Sequence, residues 1–333
     1  MLYNVPIEPL EERYSAQWQR WFKREFRNRE IEFVDVNPPV LSNKIESGRF
    51  LDIYNTNFYK ADQTKVLSRL GSEFREKDVF FFHDLWHPGV VSLAYMLHCS
   101  GLRKKVKICG CLHAGAYDPW DFLAQAQTES WAKGFEESIF DIADEIFVAT
   151  NFHKELILKS RKCSSEKIVV TKFPFFNETE IREFPKDIDV VFPHRLDVEK
   201  RPKTFDEIAK VFPGKKFVKT KEVCQNKKDY YRTLKKSKVS VSLALQETWG
   251  IAMIESIFSD CFPIVPDMLS YHELYPEEFR YQKISELISK INLFLNPSKE
   301  LVEAREKLKF KFEKSAEQAM EAICGRLQAN DVP

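Results

Sequence analysis

Apolar and polar positions follow two rhythms along this chain. Short apolar runs predict buried strands over 2–5, 31–36, 79–83, 106–112, 145–149 and 167–171. Between them a helical period fits 9–29, 88–99 and 152–159, and Gly101 stands just past the second of these, where a terminating glycine is expected. From Phe173 onward neither rhythm holds, and prolines at 174 and 185 interrupt the chain, so 174–187 reads as a linker. The alternation then restarts, with strands over 189–192, 216–219, 239–245 and 262–265 and helices over 202–211, 229–236, 249–259 and 284–295. A last helical stretch over 299–327 closes the chain. Strands separated by helices of this length imply parallel sheets built from βαβ units. The expected fold class is therefore α/β, with Rossmann-like domains at 1–173 and 188–298 and a C-terminal helical segment at 299–333. Two such sheets are expected to face each other across a cleft, with ligands at the carboxyl ends of the strands.

Length supports two domains, because 333 residues exceed what one ordinary core organises. The formal net charge is +1, so a nucleic-acid or membrane partner has to be argued from local patches. No apolar run reaches the roughly 18 residues of a membrane span, and the first residues lack the basic start and apolar stretch of a signal peptide. The seven cysteines follow no pattern; Cys109 and Cys111 share one face of a strand with no second pair to complete a metal site. Reduced thiols in a cytoplasm are the expectation, with neither disulfides nor zinc.

The most informative segment runs from Ser242 to Pro266. A buried strand is expected to end near Glu247, a turn to contain Gly250, and a helix to start near Trp249, with Glu255 nearly two turns in. Free N–H groups and the dipole at that helix start make an anion site, leaving one carboxylate for a sugar and the other for a ribose. An isolated glutamate pair is ordinarily a cap and a surface residue; the neighbours change that reading. Glu247, seven residues, then Glu255, with Trp249 and Gly250 between and the strand from Cys261 to Val265 after, resembles the signature of retaining GT-B glycosyltransferases. Upstream, Val190 to Pro202 resembles the family's second signature, a strand followed by Gly-Arg-Leu and a downstream lysine, here His194, Arg195, Leu196 and Lys200. Alone, Arg195 or Lys200 reads equally well as a solvated strand end. His194 replaces the usual glycine, and the His-Arg pair together with the stretch 266–279 is similar to the branch containing the tRNA-queuosine mannosyltransferases.

That resemblance covers 188–280 and implies roles. Glu247 holds hydroxyls of the transferred sugar, and Glu255 holds the ribose. The backbone at Thr248, Trp249 and Gly250 lines the sugar and phosphate pocket beside His194. Arg195 and Lys200 neutralise the diphosphate, for which a planar fork and a point charge are well suited. A histidine of the N-terminal domain contacts the donor sugar, and His113 is the residue chosen for it. A nucleotide diphosphate sugar is then the co-substrate, with no cofactor and no metal. Asp187 and Asp189 have the Asp-x-Asp form used for metal elsewhere, but they lead into a strand and read as local charge.

The acceptor belongs to the first half. His83, Asp84 and His87 lie between a strand and a helix, as do His113, Tyr117, Asp118 and Asp121. His83, Asp84, His87, Tyr117 and Asp118 are acceptor candidates; the plainer reading is that they cap the following helices. A metal site of His83, His87, Asp118 and Asp121 lacks the compact spacing of zinc ligands. The turn after the first strand, Asn4 to Leu10, has no glycine, so phosphates are not cradled there and Glu8 is available for a neutral or basic part of the acceptor. Helix 9–29 carries Trp18, Trp21, Phe22 and Phe26 on one stripe with Arg20, Lys23, Arg24 and Arg27 around it. Three readings stay open: core with solvated charges, a membrane-surface helix, or a phosphate-contacting face with stacking aromatics. The queuosine-like motifs favour a modified base in DNA or RNA, and bacteriophage enzymes that glycosylate hydroxymethylated DNA share the architecture. A glycan or lipid acceptor, a nucleotide-sugar epimerase and a non-catalytic binding protein are the alternatives.

Overall fold

The computed structural model describes residues 1–41, 52–179 and 182–328. Its strands are β1 (Leu2–Val5), β2 (Phe33–Asp35), β3 (Val79–Phe82), β4 (Lys107–Cys111), β5 (Glu145–Val148), β6 (Ile168–Val170), β7 (Ile188–Phe192), β8 (Phe217–Lys219), β9 (Ser237–Val241), β10 (Phe262–Pro266) and β11 (Arg280–Tyr281). The helices are α1 (Tyr14–Asn28), α2 (Ile53–Leu70), α3 (Pro88–Cys99), α4 (Phe122–Gln125), α5 (Glu129–Ile142), α6 (Asn151–Ser160), α7 (Pro202–Lys210), α8 (Thr220–Val223), α9 (Lys227–Lys235), α10 (Ile251–Phe258), α11 (Leu269–Leu274), α12 (Ile284–Leu295) and α13 (Lys299–Gln328).

The strands form two all-parallel sheets, ordered β2-β1-β3-β4-β5-β6 and β11-β10-β9-β7-β8. In each sheet the chain first winds one way and then reverses, between β1 and β3 in the first and between β7 and β9 in the second. Loops on either side of such a reversal part at the carboxyl ends of the strands, which is where parallel sheets take ligands. The central strands are buried on both faces, as in Val79 to Phe82, where Phe80, Phe81 and Phe82 are fully enclosed.

The chain divides into 1–174 with 318–333, and 175–317. The last helix is thus not the separate segment expected over 299–333. Trp249 packs on Phe312 and Arg305 lies over Phe262 in the second unit. The helix's last turns belong to the first unit, where Glu321 pairs with Arg29 and Arg326 with Glu145. Where the expected linker begins, Phe173 docks on Trp18 in the first unit and Phe175 stacks on Phe258 in the second.

Helices α2 and α5 lie outside the predicted set. The face α2 buries is Thr56, Tyr59, Gln63 and Leu67, and two polar members hide its helical spacing from a hydrophobicity reading. In α5 a buried Glu136 does the same. Helix α1 settles the three open readings in favour of core. Trp18, Phe22 and Phe26 are fully enclosed, and Lys23 pairs with Asp35.

 The aromatics are therefore spent on packing and are not presented to a base or a bilayer. Among the described residues no helix is long and apolar enough to cross a membrane.

Candidate active site

The second sheet's reversal gathers the residues of both C-terminal motifs. β7 ends at Phe192 and delivers His194, Arg195 and, after a short 3-10 turn, Lys200. β9 ends at Val241, four residues short of the expected 239–245. Beyond it the Leu245 N–H donates to the Glu199 carbonyl (2.8 Å), which leaves the ladder and carries Gln246 and Glu247 to Lys200. Arg201 holds a left-handed φ of 58° directly after Lys200, ahead of Pro202 at the first position of α7. Such a conformation costs a non-glycine residue about 1 kcal/mol or more and is over-represented at functional sites.

Lys200 is buried and its ammonium donates to the Gln246 carbonyl at 2.5 Å, with the Glu247 carboxylate at 3.4 Å. Glu247 Oε1 accepts from the Gly250 N–H at 2.9 Å. Burial alone would raise the Glu247 carboxyl; Lys200, His194, the Gly250 N–H and Arg195 together hold it below its usual range. Arg195 bonds Glu199 at 2.5 Å and also pairs with Asp197. Burial pushes Asp197 upward in spite of Arg195. Both cations are thus compensated by carboxylates, as burial of charge requires. His194 is enclosed against Phe192, and burial, reinforced by Lys200, pulls its imidazole down to about 3, so it is neutral at physiological pH.

Helix α10 begins at Ile251, so Glu255 lies little more than one turn in, not nearly two. Gly250 forces that start, with φ at +81°, and a Cβ there would sit 2.9 Å from the Tyr271 ring. The ring has no room to give, because Tyr271 is fully buried and its hydroxyl is 3.0 Å from Ser242 Oγ. Gly250→Ala is expected to destabilise the protein by about 1–2 kcal/mol and to displace the Glu247 carboxylate, which urea denaturation and activity check together. The helix start differs from expectation in a second way: Glu247 itself caps the N–H of Gly250, so that group is not free. Thr248 and Trp249 are buried beside it. Glu255 is buried as well, with Oε1 bonded by Tyr231 (2.9 Å) and paired with Lys227, and Oε2 bonded by Tyr230 (2.8 Å). Sequence reasoning missed Asp197, Glu199, Tyr230, Tyr231 and Tyr271 as partners in this site. The two adjacent tyrosines one helix away from Glu255 were the available signal.

The N-terminal candidates fall into three places. His113 stands just beyond β4, where its Nε2 donates to the His83 carbonyl (2.8 Å) and Tyr14 lies 3.2 Å from Nδ1. His83 is sealed among Trp18, Phe22 and Phe81, bonded to Asn4 at 2.8 Å, and burial pulls its imidazole down to about 3. Its side chain presents nothing to a ligand, which corrects its reading as an acceptor contact. Tyr117 is likewise turned inward, its hydroxyl 2.6 Å from His153 Nε2. Asp118 accepts from the Trp120 N–H at 2.9 Å in a capping turn. Glu8, Asp84 and His87 share a small pocket at the first sheet's reversal. There His87 caps α3 by accepting from the Gly89 N–H (2.8 Å), and Asp84 lies 3.6 Å from Lys60. Asp189 bonds Lys238 at 2.8 Å and Asp187 pairs with Lys216. Among the described residues no three His, Cys, Asp or Glu side chains gather to hold a metal.

No protein-family model matches the chain. Over 157 residues it is 27% identical to the tRNA-queuosine alpha-mannosyltransferase of Drosophila melanogaster, covering 37% of this chain and 41% of that protein. The match therefore spans about two fifths of that relative's length. Among solved structures, sucrose-phosphate synthase from Thermosynechococcus elongatus superposes with a TM-score of 0.70 at 11% identity, covering 98% of this chain and 97% of that one. A glycosyltransferase from Rickettsia africae gives 0.64 at 12% identity, covering 99% and 97%. A variant of S. aureus TarM, in complex with UDP and alpha-GlcNAc-glycerol, gives 0.57 at 16% identity, covering 79% and 58%. The fold is the GT-B fold of these glycosyltransferases.

Proposed function

We propose that this chain is a glycosyltransferase that moves a sugar from a nucleoside diphosphate donor, with retention of configuration, to a hydroxyl on a modified base in RNA or DNA. The observation that carries the reading is the convergence of Arg195, Lys200 and Glu247 at the reversal between β7 and β9. The stretch similar to a tRNA-queuosine alpha-mannosyltransferase supports a nucleic-acid acceptor.

In the proposed reaction the acceptor oxygen forms a bond to the anomeric carbon as the bond to the diphosphate breaks. The leaving phosphate oxygen takes the acceptor's proton on the same face, so no strong protein base is needed. Arg195 and Lys200 exchange carboxylate partners for the diphosphate and stabilise the charge that grows as the bond breaks. Glu247 is ionised and receives sugar hydroxyls, His113 contacts the sugar, and Glu255 exchanges a tyrosine hydroxyl for the ribose. Two protein cations supply the charge that a divalent ion supplies elsewhere.

A panel of nucleoside diphosphates and their sugars tests donor binding by thermal unfolding. A ligand at about 100 times its dissociation constant is expected to stabilise by about 2.7 kcal/mol, equally with and without chelator. A shift that chelator abolishes would contradict the metal-independent reading. Conversion of the nucleotide sugar to another with no acceptor present would establish an epimerase instead.

A further inference from the structure

A small pocket opens at the reversal of the first sheet, where the chain leaves β1 for β2 on one side and returns as β3 on the other. Glu8, Thr56, Lys60, Gln63, Asp84 and His87 line it. Nearly every polar valence in it is committed. The Gln63 amide N–H groups donate to the Pro6 and Val36 carbonyls (2.8 and 2.9 Å), and its oxygen accepts from His87 Nε2 (3.0 Å). Lys60 donates to the Trp86 carbonyl at 2.5 Å beside Asp84, and Thr56 donates to Glu8 Oε2 at 2.8 Å. One buried side-chain acceptor of the pocket remains among the described residues. Glu8 is only 3% exposed, and its Oε1 has no hydrogen-bond partner among the described residues. A buried carboxylate oxygen left unpaired is costly and rare, so its partner comes from outside the chain, water at rest and a hydroxyl of the ligand when one is bound.

We infer that this pocket receives the hydroxyl-bearing edge of the acceptor, with Glu8 Oε1 hydrogen bonding one uncharged hydroxyl; the inference rests on the transferase reading above. The surroundings select the class. Asp52 and Asp84 disfavour a phosphate, while Lys60 and Arg13 disfavour an ammonium. Burial also pushes the Glu8 carboxyl upward, and a hydroxyl serves either of its states, donating to the carboxylate or accepting from the acid. A position at the sheet reversal is where such a ligand is expected. Glu8 is thus a positioning residue for the acceptor, and its loss acts on acceptor affinity and not on donor binding.

Saturation-transfer NMR on the full chain tests this with glycerol, ethylammonium and methyl phosphate as probes, each read with the donor site filled by the nucleoside diphosphate that stabilises the chain most, which also serves as the reference. Glycerol alone of the three is expected to give a signal. Glu8→Leu, or Glu8→Met if the leucine variant does not fold, should weaken that signal by about fivefold or more, the worth of one hydrogen bond, while leaving the nucleoside diphosphate signal unchanged. Glu8→Gln, which retains an oxygen for Thr56, should keep or raise the melting temperature. An unchanged glycerol signal in the leucine or methionine variant, preference for methyl phosphate or ethylammonium with the donor site filled, or a fall in melting temperature of more than about 5 °C in Glu8→Gln would overturn the proposal. Absence of a signal from every nucleoside diphosphate in the unaltered protein would instead overturn the transferase reading.

Discussion

Lys200→Ala is expected to lower turnover by about 10²–10³-fold, the loss typical of removing one group that stabilises transition-state charge. It should also be costly to the fold. Lys200 is nearly enclosed, with its ammonium 3.4 Å from a Glu247 carboxylate that is itself mostly buried. Breaking such a pair by removing one partner leaves an uncompensated charge, worth about 3–5 kcal/mol. Lys200→Ala combined with Glu247→Gln should therefore regain stability without regaining turnover. Arg195 separates the two effects better, because its side chain is 27% exposed against 6% for Lys200. Arg195→Ala should lose turnover to a similar degree and little stability. Steady-state rates at saturating donor, measured beside urea denaturation, check all three variants. Near-normal transfer by Arg195→Ala would contradict the role assigned to it.

Stability is expected to fall steeply as the pH drops below about 6.5. Burial holds the imidazoles of His83, His153 and His194 down to about 3, and those of His87 and His113 are lowered too. An unfolded histidine titrates near 6.5, so between these values the unfolded chain binds more protons than the folded one. Stability then rises with pH through this window and is lost on acidification, by up to about 1.4 kcal/mol per pH unit for each imidazole. Glu247 adds to the loss at lower pH: its carboxyl is depressed in the fold, so its contribution is present above the unfolded value near 4.3 and disappears as the pH falls through its folded one. Glu8 and Asp197, raised by burial, act in the opposite sense and offset part of it. Urea midpoints at pH 7.5, 6.5 and 5.5 measure the slope. A midpoint unchanged across that range would contradict the enclosure of these histidines.

Much of this was legible in the sequence, and the failures have physical causes. Strands such as β1 and helices such as α3 and α12 were bounded correctly because their apolar runs end at clear breakers. The cluster at the second sheet's reversal was legible as well, since Arg195 and Lys200 lie in the segment after β7, and Glu247 follows the apolar run that contains β9. What stayed hidden was the inward use of polar groups. His83 and Tyr117 stand in loops where a histidine or tyrosine suggests ligand contact, yet both close the core. Helix α2 escaped notice because Thr56 and Gln63 occupy core-facing positions, and those same residues build the pocket around Glu8. A local rule broken by polar burial marked a site in one case and ordinary packing in the other. Partners in space decide between them, and spacing along the chain does not reveal those.

The central claim is most directly tested by offering the protein each common nucleotide sugar together with transfer RNA and, separately, hydroxymethylated DNA, then digesting the nucleic acid and weighing its nucleosides. The account predicts a nucleoside heavier by one sugar, released nucleoside diphosphate in equal amount, an anomeric configuration matching the donor, and loss of the product in Arg195→Ala. Intact donor and unmodified nucleosides in every combination would contradict the nucleic-acid acceptor, and intact donor with glycan and lipid acceptors as well would contradict the transferase itself.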